Sequence, residues 1–448
     1  MLRCLMVGLG LLIELAVAWA DDSAAAVPAT RPATTHAVGE DSAGIDKLTT
    51  RLIGLLDEPN EATEKIAEGE LPRTSFRWKA LWANGNNIRS ADEARRMAEL
   101  AARMGFNTIL YQVTGDGTCY YDSRILVKPK GLAIDPLKDL IGEARKKNID
   151  VYAWIIYLAS SGGESMRKEH PEYYQVIRPE EQASLGARWL TPDRPNAKTG
   201  EWLCPDRGLA DHEKQITQEI LRNYRVAGIA VDYLGYRNYY ACLCEYSQAQ
   251  RAEFARRPRP KSLTPEEVMK EYSEESLENW TRQLRAAVHA AKPDAKIAIH
   301  VYPDFAPNPL YGNRLHVDYC GQTIAWLYRP FWSYGKVYNK AAAYKQAEGK
   351  FHDFNRFVPF VGVEQGALLK SPERLRQEIR IAGLSGAKDI MIAFHKVFRD
   401  HPELAEAVAG ELNAPSPASA SAPASVPADG GAGSRGLRGD GSESPGLR

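Results

Sequence analysis

The chain has 448 residues, 57 basic against 57 acidic side chains, and 44% hydrophobic content. It can bury a large core, and it lacks the charge excess that marks a nucleic-acid binder, so no nucleic-acid partner is expected. A neutral or weakly charged substrate fits this balance.

The first residues are Met1-Leu2-Arg3, an apolar run ending Ala18-Trp19-Ala20, and then Asp21-Asp22. This is the pattern of a secretory signal over residues 1–20. Export to the periplasm or the exterior is expected. The apolar stretch is short for a span, so no stable membrane crossing should remain after cleavage. Residues 21–45, rich in Ala, Pro, Thr and Ser, read as a disordered linker. Residues 46–75 offer Leu52, Ile53, Leu55 and Leu56 for a short N-terminal helical extension. From residue 414 to 448 the Ala-Ser-Pro and Gly-Ser-Arg composition cannot bury enough surface to fold, which predicts a disordered tail.

Residues 76–413 alternate strand-like and helix-like segments. Strand one is Trp78 to Trp82. Ser90 caps a helix, with Glu93 completing a capping box and Gly105 ending it. Strand two runs from Asn107 to Val113, and Asp135-Pro136 opens the next helix as N-cap and first residue. Strand three is Val151 to Tyr157. Asp211 is expected to cap the helix that carries Ile216, Ile220 and Leu221. That helix delivers Gly228-Ile229-Ala230-Val231-Asp232, a buried strand that breaks into an acid, tyrosines and a glycine. A helix over Leu277 to Ala291 precedes strand five, Ile297 to Tyr302. Strand six is expected at Thr323 to Leu327, strand seven at Phe357 to Glu364 and strand eight at Asp389 to Phe394, with a helix opening at Ser371-Pro372 before the last. Eight such units predict an α/β fold, a (β/α)8 TIM barrel with enlarged loops after strands three and four. A doubly wound sheet would want a glycine-rich phosphate turn after strand one, and Ala83-Asn84-Gly85-Asn86-Asn87 is not one.

Cys119, Cys204, Cys242, Cys244 and Cys320 remain after the signal. An odd number spread over a large domain is not a disulfide framework. Packed thiols or a single loop disulfide are expected rather than zinc at Cys204 with Cys242-x-Cys244, which lacks a nearby His.

In a barrel of this kind the chemistry sits where strands end. The residues there are Trp82 and Asn84, Gln112 and Asp116, Trp154, Asp232 with Tyr233 and Tyr236, His300 and Tyr302, Trp326, Glu364, and His395. Aromatic faces pack on sugar rings, while amides and acids bind hydroxyls, so these are read as substrate-binding residues for a polysaccharide or oligosaccharide. Glycosidic hydrolysis uses one carboxyl to protonate the leaving oxygen and a second as base or nucleophile. Asp232 is assigned as the acid and Glu364 as the second carboxylate. A metal hydrolase of this fold would want His-x-His on strand one, where the chain has Trp82-Ala83-Asn84. No metal or other cofactor is therefore expected.

Several motifs in order carry a resemblance. They are Ala80-Leu81-Trp82; Met104-Gly105-Phe106-Asn107-Thr108 leading into Tyr111-Gln112-Val113 and Gly115-Asp116-Gly117; Tyr120-x-Asp122-Ser123; Asp135-Pro136-Leu137; Val151-Tyr152-Ala153-Trp154; His170-Pro171-Glu172-Tyr173; and Gly228-Ile229-x-Val231-Asp232-Tyr233. Over about Trp78 to Phe254 the chain resembles the glycosyl hydrolase-like 10 domain family. The resemblance implies a TIM barrel and hydrolysis of glycosidic bonds, in cell-wall or exopolysaccharide material containing N-acetylated sugars. The chain departs from the family at Gly235, which stands in the place of an arginine, and at Arg237, which stands in the place of a proline. Ser247 replaces the last cysteine of a loop resembling Cys242-Leu243-Cys244-Glu245-Tyr246. Gly235 and the disordered tails suit a rival reading, a non-catalytic glycan-binding or envelope scaffold protein on a decayed barrel.

Overall fold

The computed structural model describes residues 71–115, 117–159, 167–168, 170–177, 198–236, 241–259, 261–301, 311–327, 331–364 and 369–414. The expected signal, the linker, residues 46–70 of the helical extension and the tail beyond Ala414 lie outside these. Leu71 to Ser75 form no helix.

Eight parallel strands close a barrel. They are β1 (Trp78–Ala83), β2 (Thr108–Gln112), β3 (Asp150–Ile156), β4 (Gly228–Asp232), β5 (Lys296–Val301), β6 (Tyr319–Ala325), β7 (Arg356–Gly362) and β8 (Asp389–Ala393). Each neighbours its successor in the chain, and β8 returns to pair with β1, Trp82 opposite Ala393. The described helices are α1 (Ala91–Arg103), α2 (Pro136–Arg145), α3 (Asp211–Asn223), α4 (Glu245–Ala255), α5 (Pro265–Ala291), α6 (Tyr334–Ala347), α7 (Pro372–Leu384), α8 (His395–Asp400) and α9 (Pro402–Leu412). Among the described residues no helix is long and apolar enough to cross a membrane. The loops after β3 and β4 are the enlarged ones. The first carries an antiparallel pair, Tyr174–Ile177 with Lys198–Leu203, and the second carries α4 before α5.

Several expected helix ends follow from local chemistry. The Ser90 hydroxyl accepts the Glu93 N–H at 3.3 Å, and the Asp135 carboxylate accepts the Lys138 N–H at 3.0 Å. Gly105 takes φ +85°, the left-handed turn that ends α1 cheaply only for glycine. Three boundaries differ from expectation. Asp211 is the first residue of α3, not its cap. Ala210 is the cap, and Glu213 reaches back to accept the Ala210 N–H at 3.0 Å. Helix α5 begins a full three turns before Leu277, at a complete capping box between Thr264 and Glu267 with Pro265 in the first position. Strand β6 starts at Tyr319, four residues before Thr323. Its opening stretch Tyr319-Cys320-Gly321-Gln322 mixes a glycine and an amide, so it does not show as an apolar run. Gly321 fits closely there, because a Cβ would sit 2.8 Å from the Ile299 carbonyl oxygen and 2.2 Å from the sulfur of Met391.

The barrel is closed on the outside by its last helix. Arg380 on α7 grips Glu411 on α9 with two bonds, 3.0 Å from Nε and 2.9 Å from Nη2, and both side chains are buried. Removing Glu411 strips two charge-assisted bonds from the buried Arg380 guanidinium. Glu411→Ala is expected to lose about 1.5–3 kcal/mol of unfolding free energy, read as a drop in urea midpoint.

Candidate functional site

Strand alternation decides which side chains enter the barrel. Trp78, Ala80 and Trp82 on β1, Tyr152 and Trp154 on β3, Ala230 on β4, Ala298 on β5, Val358 and Phe360 on β7, and Met391 and Ala393 on β8 form one interior cluster. The floor is aromatic. Trp78 stacks on Tyr319 with centroids 4.1 Å apart and planes 5° apart, and Tyr152 meets Trp78 edge-on at 6.0 Å. A second aromatic layer lies toward the strand ends, where Trp82 and Trp154 pack as a T at 4.6 Å and 88°. His300 lies flat on Phe360 at 3.6 Å, with Trp82 approaching its edge at 6.1 Å. The indole N–H groups of Trp82 and Trp154 are buried without a hydrogen-bond partner among the described residues.

Asp232 is the next inward residue on β4 and closes this layer. It is 2% exposed. One carboxylate oxygen, Oδ1, accepts the Tyr233 N–H at 2.9 Å and faces His300 Nδ1 at 3.2 Å. Tyr233 takes φ +57°, the left-handed region, and this turn brings its N–H back onto the preceding side chain. The other imidazole nitrogen of His300, Nε2, lies 3.0 Å from the Thr323 hydroxyl, which also stands 3.2 Å from the Val301 carbonyl. Thr323 has one proton for two acceptors. When it is given to Val301, Nε2 must carry hydrogen, and the contact between Nδ1 and Asp232 then needs one further proton held between carboxyl and imidazole. The arrangement holds the Asp232 carboxyl against the imidazole at the end of β4 in a fixed direction.

Glu364 lies two residues beyond the end of β7 and is half-buried. Three strand steps separate β7 from β4 around a ring of eight, so the two acids leave the barrel on opposite sides. Both lie at the C-terminal face, where barrels of this architecture carry their chemistry.

The other expected residues divide by position. Asn84 is half-buried at the start of a short 3-10 turn, Gly85–Asn87, after β1. Gln112 points inward but spends its amide on the frame. Its oxygen takes the Gly85 N–H at 3.3 Å and its nitrogen donates to the Thr114 carbonyl at 3.1 Å, tying the β1 and β2 loops together. Tyr233 is half-buried and meets Trp202 edge-on at 5.7 Å. Trp326, half-buried after β6, stacks on Trp332 at 5.4 Å and 13°. Tyr236 is fully buried and donates its hydroxyl to the Asp206 carboxylate, which also accepts from Ser276 at 2.7 Å. Its hydroxyl therefore serves the loop beside the mouth rather than the mouth itself. Burial pushes the Asp206 carboxyl above its ordinary range. Asp116 and Tyr302 lie outside the described residues.

His395 opens α8 directly after β8 and is 4% exposed. Burial lowers its pKa from 6.5 to about 4, with the nearby Arg399 charge adding to the effect. The unfolded chain takes up this proton near 6.5 and the folded chain only near 4, so the unfolded state binds more protons in between. The neutral histidine's contribution is complete above the upper value and is lost as pH falls toward the lower one, by about 3 kcal/mol. His395→Gln is expected to remove that part of the acid destabilisation, seen by comparing urea unfolding of the two proteins from neutral pH downwards.

Thr323 and Phe360 were not anticipated. Both face inward on their strands, and both hold His300. The signal was the period-two alternation of β6 and β7, which a reading confined to strand ends passes over.

Residues 78–347 match the glycosyl hydrolase-like 10 family. The chain belongs to that family. Solved structures share its fold at low identity. The α-L-fucosidase isoenzyme 2 of Paenibacillus thiaminolyticus superposes with TM-score 0.51 and 18% identity, over 75% of this chain and 49% of the fucosidase, about half of that protein's length. The PgaB (BpsB) glycoside hydrolase domain of Bordetella bronchiseptica gives TM-score 0.51 and 14% identity, over 76% of this chain and 99% of that domain. The β-galactosidase of Bacillus circulans sp. alkalophilus gives TM-score 0.50 and 12% identity, over 76% and 56%. At such identities the likeness speaks for the fold alone. No curated protein sequence matches the chain.

The five described cysteines are all buried and unbridged, so the loop disulfide is not formed. The odd count had left packed thiols as the other expectation, and Cys119 and Cys320 are of that kind. Cys204, Cys242 and Cys244 instead converge on one point, with their sulfur atoms all within 4.8 Å of one another.

Proposed function

We propose that this glycosyl hydrolase-like 10 protein is an exported glycoside hydrolase that cleaves glycosidic bonds in a polysaccharide, with Asp232 as general acid and Glu364 as second carboxylate. The observation that carries the reading is the Asp232, His300 and Thr323 chain at the end of β4. A general acid needs a proton held ready and a fixed direction in which to give it. The imidazole fixes one face of the carboxyl, the Tyr233 N–H fixes its plane, and Oδ2 is left to address a leaving oxygen. Glu364, leaving the barrel from the other side, supplies the base or nucleophile that hydrolysis requires. Trp82 and Trp154 form the aromatic layer that the acid closes, and Trp326 with Trp332 offers a flat face at the rim for a sugar ring. Family membership supports a cell-wall or exopolysaccharide substrate containing N-acetylated sugars, and the amino-terminal signal pattern supports export.

A non-catalytic glycan-binding barrel is the second reading, favoured by the near-complete burial of Asp232. Product analysis on a panel of bacterial and plant polysaccharides separates the two. The hydrolase should release shorter oligosaccharides from at least one that contains N-acetylated sugars. Tight binding with no shortened product across the panel would support the scaffold.

A further inference from the structure

The sulfur atoms of Cys204, Cys242 and Cys244 come from two separate loops. Cys204 follows the strand Lys198–Leu203 in the β3–β4 excursion, whereas Cys242 and Cys244 lie between β4 and α4. All three are buried, at 2%, 0% and 8% exposure. They are unbridged, and their sulfur atoms converge on one point. Around a tetrahedral zinc with Zn–S of about 2.3 Å, sulfur atoms stand about 3.8 Å apart, which suits a trio within 4.8 Å.

Two further observations point the same way. Backbone N–H groups are aimed at the sulfur atoms, those of Val176 and Cys244 both at Cys242 Sγ at 3.3 Å, and that of Ser247 at Cys244 Sγ at 3.4 Å. A neutral thiol is a poor acceptor, while a metal-bound thiolate gathers such donors. In addition, the fully buried Ser247 places its Oγ 3.2 Å from both Cys204 Sγ and Cys244 Sγ. It adds an oxygen donor beside the three-sulfur set.

We propose that Cys204, Cys242 and Cys244 hold a structural zinc ion, with Ser247 Oγ completing the tetrahedron. The ion would clamp the β3 excursion to the β4 loop. The clamp is next to Asp206, which accepts from Tyr236, and so it fixes the chain that leaves the barrel at Asp232 and Tyr233. Its role is independent of whether the barrel cleaves a glycan. The Glu278, His316 and His352 cluster on the outside of the barrel is a poorer candidate, because Arg314 already pairs with Glu278 at 3.3 Å and its carbonyl faces His352 Nε2 at 2.8 Å.

The test is metal content and zinc retention of the full-length protein purified without chelator. One zinc per chain is expected after desalting, and full thiol titre after denaturation. Cys244→Ser should reduce zinc to background, while Cys320→Ser, buried elsewhere, should leave it unchanged. Should Cys244→Ser fail to fold, Ser247→Cys and Ser247→Ala keep the proposal open to refutation. Release of zinc to a chromogenic chelator should slow by tenfold or more in the first and quicken in the second. Absence of zinc even after incubation with the ion, a disulfide within the trio, or equal release rates in both Ser247 variants and the wild type would overturn the site as stated.

Discussion

Asp232→Asn is expected to lower kcat on a cleavable polysaccharide by about 10²- to 10⁴-fold, the range for loss of a positioned general acid. The amide is nearly the same size as the carboxyl. Its oxygen can still accept the Tyr233 N–H and face His300, so the layer with Phe360 and Trp82 should stay packed. What disappears is the carboxyl group's capacity to give a proton. KM should change little, and urea unfolding should shift by far less than the kinetics. A mainly structural role for Asp232 would show the reverse, with a large loss of stability and turnover falling only in proportion to folded protein.

Glu364→Gln is expected to cost a comparable factor, about 10²- to 10⁴-fold in kcat, because hydrolysis stops without a base or nucleophile on the face opposite the acid. Glu364 is half-buried at the end of β7, so its substitution should leave the fold intact. A small anion such as azide then distinguishes the two chemistries. Rescue with formation of a glycosyl azide of inverted configuration identifies Glu364 as a nucleophile whose place the anion has taken. Unchanged turnover in the variant would remove Glu364 from the reaction.

Much of the barrel was legible because its strands are short apolar runs between capped helices. Ser90 with Glu93, Asp135 with Pro136, and Ser371 with Pro372 each mark a helix start through a bond that the structure contains. The acid at the end of β4 was legible for the same reason, since Val231 to Asp232 is an abrupt change from core to polar. Thr323 was hidden by a boundary. With β6 taken to begin there, it falls at the bottom of the barrel. With the strand beginning at Tyr319 it rises to the level of His300. Gly321 and Gln322 obscured the true start, although the glycine fits closely against the Ile299 carbonyl oxygen and Met391. Cys204 with Cys242 and Cys244 could be grouped as a zinc set that lacks a nearby His, but whether the three meet was not legible. It depends on how two long excursions fold over one another, which no local period encodes. The burial of Tyr236 on Asp206 belongs to the same class.

Hydrolysis itself is tested most directly by digesting an N-acetylated-sugar polysaccharide in heavy-oxygen water and weighing the products. The wild type is expected to release oligosaccharides whose new reducing ends carry one heavy oxygen, and Asp232→Asn with Glu364→Gln should release essentially none while still binding the glycan. Binding by the wild type without labelled products, or equal release by the doubly substituted protein, would contradict the account.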